Sequence, residues 1–141
     1  MMTKREWCRI FTVTALVFTT TLVWMAKPCI AGGGKYTYKK GFTSQKIDQE
    51  IKKRIQGRSY KKGAKISLSS LRYLQIRYID FDGNVQEGEM IVNKKIARRT
   101  LKAFYQLYKL RYPIEKMKLV DEYEAEDEAS MADNNTSAFN Y

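Results

Sequence analysis

Apolar positions along this chain change period from one stretch to the next, and each change marks an element. From Leu71 to Phe81 and from Val85 to Val92 they alternate with polar ones, the period of a half-buried strand. Asp82-Gly83 stands between the two runs and is a strong turn signal, so together they are expected to form a β-hairpin. Leu74, Ile76 and Tyr78 then share one face, and Tyr73, Gln75 and Arg77 the other. On the second strand Glu87 and Glu89 alternate with Gly88 and Met90, which makes it one-sided as well.

Past Asn93, placed as a helix cap, the period lengthens to that of a helix running to about Leu110. Ile96, Ala97, Thr100, Leu101, Ala103, Phe104, Leu107, Tyr108 and Leu110 fill one half of the wheel. Lys94, Lys95, Arg98, Arg99, Lys102, Tyr105, Gln106 and Lys109 fill the other. Such a helix packs across a sheet, and Pro113 stops it. Upstream, Ile47, Ile51 and Ile55 recur every fourth residue. They predict a helix from Ser44 to Gln56, capped by Ser44, closed by Gly57, with Lys52, Lys53 and Arg54 in its last turn.

The remaining segments follow from these. Glycine-rich Gly32 to Gly41 opens a flexible leader over residues 32–43, and Arg58 to Lys65 is a basic loop. Ile114 to Val120 reads as a short strand and Asp121 to Glu128 as an acidic surface turn or short helix. Near the C-terminus Phe139 and Tyr141 alternate with small polar residues, as in a strand entering a core. The sum is an α+β domain over residues 44–141, without internal repeats.

Composition changes this picture first at the N-terminus. Met1 to Arg9 carries Lys4, Arg5 and Arg9 against Glu6, and Ile10 to Ala26 is uncharged and largely apolar. Lys27-Pro28 breaks that run, and Cys29-Ile30-Ala31 places small residues at −3 and −1 before Gly32. Residues 1–31 are thus expected to be a signal peptide, and the rest exported to a periplasm, cell wall or extracellular space. The alternative is an uncleaved anchor, although seventeen Thr-rich residues fall short of the roughly 20 apolar ones that a span needs. Both cysteines, Cys8 and Cys29, lie in this segment, so the exported part has no disulfide and no thiolate metal site.

Charge divides the exported part. Residues 32–118 hold 22 Lys and Arg against 7 Asp and Glu, whereas residues 119–141 hold 7 acids and no base. A basic body outside a cell would meet peptidoglycan, other anionic wall polymers or lipid headgroups, not nucleic acid; membrane contact is expected only if the signal segment is retained. The Lys94 to Lys109 helix face could engage such a polymer, but a charged outer face is also what any surface helix needs.

The side chains for catalysis are few. The chain has no His, so Ser130 and Ser137 lack the usual general base, and zinc would be left with carboxylates alone, a poor donor set. The acids from Asp121 to Glu128 lack the spacing of a calcium loop and read as a solvated face. Tyr73, Tyr78, Tyr105, Tyr108 and Tyr112 could line a sugar surface, yet at these spacings they read mainly as core edges. Asn134-Asn135-Thr136 and Asn135-Thr136-Ser137 match glycosylation sequons by chance.

From about Ser44 the chain carries an ordered series of short motifs. They are Leu71-Arg72-Tyr73-Leu74, Tyr78-Ile79-Asp80-Phe81-Asp82-Gly83 and Gly88-Glu89-Met90-Ile91-Val92-Asn93. Tyr112-Pro113-Ile114-Glu115-Lys116, Asp121-Glu122-Tyr123, Ser130-Met131 and Asn134-Asn135-Thr136-Ser137-Ala138-Phe139-Asn140-Tyr141 follow. In this order they resemble the N-terminal part of exported bacterial zinc peptidases of the D-alanyl-D-alanine carboxypeptidase type. The resemblance implies the fold shared with the Hedgehog signalling domain, and cleavage of peptidoglycan stem peptides. In the family, a segment like Thr136 to Tyr141 leads directly into an Arg that polarises the scissile carbonyl. A Ser-x-His-x6-Asp stretch, a catalytic acid and a second His come next, and the two His and the Asp hold zinc. None of those positions falls within this sequence.

The resemblance therefore implies a fragment that neither binds zinc nor hydrolyses peptides alone, with at most Ser137, Phe139 and Asn140 bordering a substrate cleft. Two other readings stay open. One is a small exported basic protein that binds the wall or an envelope partner, and the other a fragment completed by a second polypeptide.

Overall fold

The computed structural model describes residues 34–141; the expected signal peptide lies outside the described residues. In chain order the elements are strands β1 (Tyr36–Lys39) and β2 (Phe42–Gln45), helix α1 (Gln49–Ile55), strands β3 (Leu71–Ile79) and β4 (Val85–Asn93), helix α2 (Ala97–Lys109) and short helix α3 (Asp127–Ala132). The four strands make one antiparallel sheet in the order β1-β2-β3-β4, so the architecture is α+β. Among the described residues, no helix is long and apolar enough to cross a membrane.

The β3–β4 hairpin is the frame, paired from Leu71 with Asn93 to Ile79 with Val85. Its turn is wider than Asp82-Gly83 alone. Asp80 closes it, accepting a bond from the Asn84 amide at 2.7 Å, while Gly83 supplies a positive φ of 83°. Phe81, expected as the end of the strand, is swung out into that turn and exposed.

One face of the sheet matches the alternation. Leu74, Ile76, Tyr78, Met90 and Val92 pack with Phe42 beneath α2, whose buried residues are Ala97 and Leu101. The opposite face is not polar throughout. Leu71, Tyr73 and Ile91 pack against Ile51 and Ile55 of α1 and against Leu119, forming a second core at one end of the hairpin. Only beyond Tyr73 does that face open, at exposed Gln75 and partly exposed Arg77.

Several expectations are corrected here. Part of the supposed leader is sheet: Tyr36–Lys39 pairs with Phe42–Gln45, and Gly41 provides the turn with φ 82°. Ser44 is therefore a strand residue. The helix starts later, at Gln49, because Asp48 accepts the Ile51 amide at 2.9 Å and caps it. Asn93 ends β4 and closes a turn by accepting the Lys95 amide at 3.0 Å, so Ile96 stands at the N-cap. Tyr105, assigned to the outer face of α2, packs edge-on against Tyr38 and Phe42 at centroid distances of 5.6 and 5.3 Å. The two strands β1 and β2 widened the apolar surface available to the helix, and Ile96 and Leu110, expected inside, are exposed.

After α2 the chain bonds first to the end of β3 and then to the free edge of β4, without forming a strand. Ile114 donates to the Ile79 carbonyl at 2.8 Å, and the Met117 carbonyl accepts the Glu89 amide at 3.0 Å. Gly88 makes this approach possible, since a β-carbon there would fall 2.9 Å from the Met117 carbonyl oxygen. The expected strand over Ile114 to Val120 is thus an irregular segment, with single bridges from Pro113 to Ile79 and from Lys116 to Asn135. Thr136 to Tyr141 is likewise extended but belongs to no strand.

Candidate functional site

The three residues expected to border a cleft lie on that final segment, and the structure gives them separate surroundings. Ser137 is exposed. Phe139 is partly buried against the second core, beside Ile51, Ile55 and Leu119. Asn140 donates from Nδ2 to the Ala125 carbonyl and to Asp127 Oδ1, both at 2.9 Å. Its own Oδ1 is enclosed with no hydrogen-bond partner among the described residues. An orphaned buried acceptor costs about 1–3 kcal/mol, so that oxygen is suited to receive a donor.

Individual polar contacts of backbone and side chains, rather than a strand ladder, tie this end in place. Tyr141 donates its amide to the Ser59 carbonyl at 2.9 Å, and its hydroxyl accepts from the Lys65 amide at 2.9 Å. Asp121, expected on a solvated acidic turn, is instead buried at 2 % exposure. It accepts from the Ser59 amide at 3.0 Å and from the Ser59 hydroxyl at 2.8 Å. A carboxylate withdrawn from water needs such donors, and the 58–65 loop supplies them. Glu124, Glu126, Asp127 and Glu128 do stay exposed.

A second polar group sits where α1 meets the hairpin. Arg54 donates through both terminal nitrogens to Glu89, and its Nη2 also reaches Glu122 Oε1 at 2.8 Å. Tyr73 donates its hydroxyl to Glu89 Oε2 at 2.6 Å. Burial pushes the Glu89 carboxyl up, but the bonds from Arg54 and Tyr73 prevail and hold it below its ordinary value. The Tyr73 hydroxyl is pushed up, first by burial and then by the bond to Glu89. Arg54 is driven further toward its charged form, chiefly by Glu89. Each group is thus locked in its ordinary charge state, so none is poised as a general acid or base near neutrality. The Lys116–Asp133 pair, with Tyr123 donating to Asp133 at 2.7 Å, is similar in kind. There burial, then the Asp133 bond, push the Tyr123 hydroxyl up to about 12.

Sequence reading did not find Arg54, Glu89, Ser59 or Asp121 as partners, because they lie 35 and 62 positions apart. Of the five tyrosines weighed as a sugar surface, Tyr73 and Tyr78 are buried and Tyr105 and Tyr108 pack against the core. Tyr112 is exposed. Among the described residues, no three His, Cys, Asp or Glu side chains gather where they could hold a metal ion. The residues present do not suit zinc, since the carboxylates near the final segment already serve Ser59, Asn140 and Arg54. No family model, no curated protein and no solved structure matches this chain.

Proposed function

We propose that the chain is the N-terminal, non-catalytic part of an exported zinc D-alanyl-D-alanine carboxypeptidase-type peptidase acting on peptidoglycan, inert until joined by a zinc-bearing segment in cis or in trans. The carrying observation is that the ordered motifs of the resemblance bond to one another. Asn134 donates to Glu115 at 2.7 Å. Asn135 donates to the Ser130 hydroxyl at 2.9 Å and accepts the Lys118 amide at 2.8 Å. Asp121 and Glu122 tie the 58–65 loop and Arg54. The Asn134-to-Glu115 and Asn135-to-Ser130 bonds join one motif to another, and the remaining bonds tie motifs to Lys118, the 58–65 loop and Arg54.

The decisive test is the DNA following codon 141. An Arg codon followed by Ser-x-His-x6-Asp is expected in one frame, and its absence from all three frames sinks the proposal. In parallel, the chain alone with zinc should release no D-alanine from a stem pentapeptide, whereas a fusion to a segment bearing those residues should.

The basic surplus of residues 32–118 favours one other reading, an exported protein that binds an anionic wall polymer. It expects the chain to pellet with purified peptidoglycan, to release with salt, and to unfold cooperatively on its own.

A further inference from the structure

At the end of the sheet where α2 begins there is a cleft of about 370 Å³, lined by Tyr36, Ser44, Arg72, Lys94, Ala97 and Arg98. We infer that this cleft binds a phosphate group, free or as an ester, through Arg72, Lys94, Arg98 and the Ser44 hydroxyl. The inference does not depend on the peptidase reading.

Strand register explains why these residues meet. Ser44 pairs with Leu74 on one side and with Tyr36 on the other. All three belong to the face that α2 covers, and Arg72 follows two positions before Leu74 on the same face. Lys94 leaves the end of β4, and Ala97 and Arg98 open the helix. Sheet end and helix start thus form the two walls.

Three features of the cleft favour an anion. First, three cations face it, and none of them has a carboxylate within ion-pair distance among the described residues. Two are also positioned: Arg72 donates to the Ser69 carbonyl at 3.0 Å and the Leu71 carbonyl at 2.6 Å, and Arg98 lies 4.6 Å over the Tyr36 ring. Second, α2 presents its positive end here with no acidic residue in its first turn and no side chain capping it. Third, Ser44 is buried at 5 % exposure, yet its hydroxyl bonds to no described residue. That hydroxyl belongs to the lining of the cleft. A buried hydroxyl with no partner among the described residues, beside three cations, matches a tetrahedral oxyanion, whose oxygens accept from several directions at once. A generic basic surface explains the charges but not the hydroxyl.

The test is a titration of the full chain with inorganic phosphate, followed by amide NMR at constant ionic strength. Saturable shifts centred on Ser44, Arg72 and Arg98 are expected. Arg98→Gln, at an exposed position, should weaken binding about tenfold, the worth of one charged hydrogen bond. Ser44→Ala should weaken it several-fold without changing any charge, while Lys109→Gln at the far end of α2 should have no effect. Equal weakening by Arg98→Gln and Lys109→Gln with none from Ser44→Ala would overturn the inference, as would shifts that never saturate. Vesicles of phosphatidylglycerol against phosphatidylcholine then separate the sources. Retention on the anionic vesicles that free phosphate displaces and Ser44→Ala reduces identifies a lipid headgroup. Phosphate binding without such retention identifies a soluble phosphate or phosphate ester.

Discussion

The hairpin with α2 and the C-terminal stretch from Leu119 to Tyr141 are built by different means. The first is held by apolar layers, in which Leu74, Ile76, Met90 and Leu101 are nearly or wholly excluded from water. The second contributes few large side chains to a core and is fixed by individual polar contacts, such as Asp121 to Ser59 and Tyr141 to Ser59 and Lys65. Dispersion and hydrophobic contacts are spread over many atoms and tolerate change of shape. A buried carboxylate with two donors has no such tolerance. The hairpin should therefore respond to lost volume and the C-terminal stretch to lost donors and acceptors.

The largest effect belongs to the apolar region. Leu74→Ala removes a fully buried side chain under α2 and should cost about 2–5 kcal/mol in urea unfolding. Leu74→Met keeps the volume and should cost less than about 1.5 kcal/mol. If the two variants were equally damaging, packing would not be what holds this half together.

Next comes Asp121→Ala, which leaves the buried Ser59 amide and hydroxyl without acceptors and should cost about 1–3 kcal/mol. Amide exchange of Tyr141, whose acceptor is the Ser59 carbonyl, should accelerate more than exchange in β3. Uniform acceleration across both regions would erase the distinction drawn between them.

The same contrast decides what could be read from the sequence. Alternation and helical period located β3, β4 and α2, because each is shaped by burial of one face, and burial leaves a period. The four-residue strands β1 and β2 were hidden by neighbouring glycines and lysines, and the strand that joins them to the sheet, β3, lies about 30 positions on from β2. Ile47 extended an apparent helix backwards by matching the spacing of Ile51 and Ile55, although the Asp48 cap excludes it. Beyond Leu119 reading failed for a different reason. Side chain-to-backbone bonds between distant residues have no period, so Asp121 looked like its solvated neighbours. Among the residues expected to border a cleft, nothing local separates exposed Ser137 from partly buried Phe139.

A pH titration refines the comparison, because Glu89 joins the two regions through Arg54 and Glu122. Its carboxyl is held below the ordinary value of 4.5 when folded, so the unfolded chain binds that proton more readily. The stability it contributes is fully present above 4.5 and is lost as pH falls through the lower folded value. Stability should thus decline below pH 4.5, and Glu89→Gln should flatten part of that decline while lowering stability at pH 7. Partly exposed Asp80 and Asp133 are depressed too, first by Gln86 and by Lys116 respectively, so a residual slope is expected in the variant. An unchanged slope in Glu89→Gln would mean that Arg54 does not hold the two regions through this carboxylate.

The smallest effect is expected from a polar contact in the otherwise apolar region. Arg77 donates from Nε and Nη2 to Glu87 Oε1 near the turn of the hairpin, at 3.1 and 3.0 Å. This pair resembles the buried contacts in geometry, but the Glu87 side chain is 70 % exposed. Water and salt can replace what it offers, so an Arg77→Ala, Glu87→Ala cycle should give a coupling of about 0.2–1 kcal/mol that shrinks as salt is raised. The same cycle on Ser59 and Asp121 should give a larger coupling with little salt dependence, since both partners are withdrawn from solvent. Bond length is nearly the same in the two pairs, which leaves burial as the variable. If the exposed pair coupled as strongly as the buried one, burial would not explain why the C-terminal stretch depends on its polar contacts and the hairpin does not.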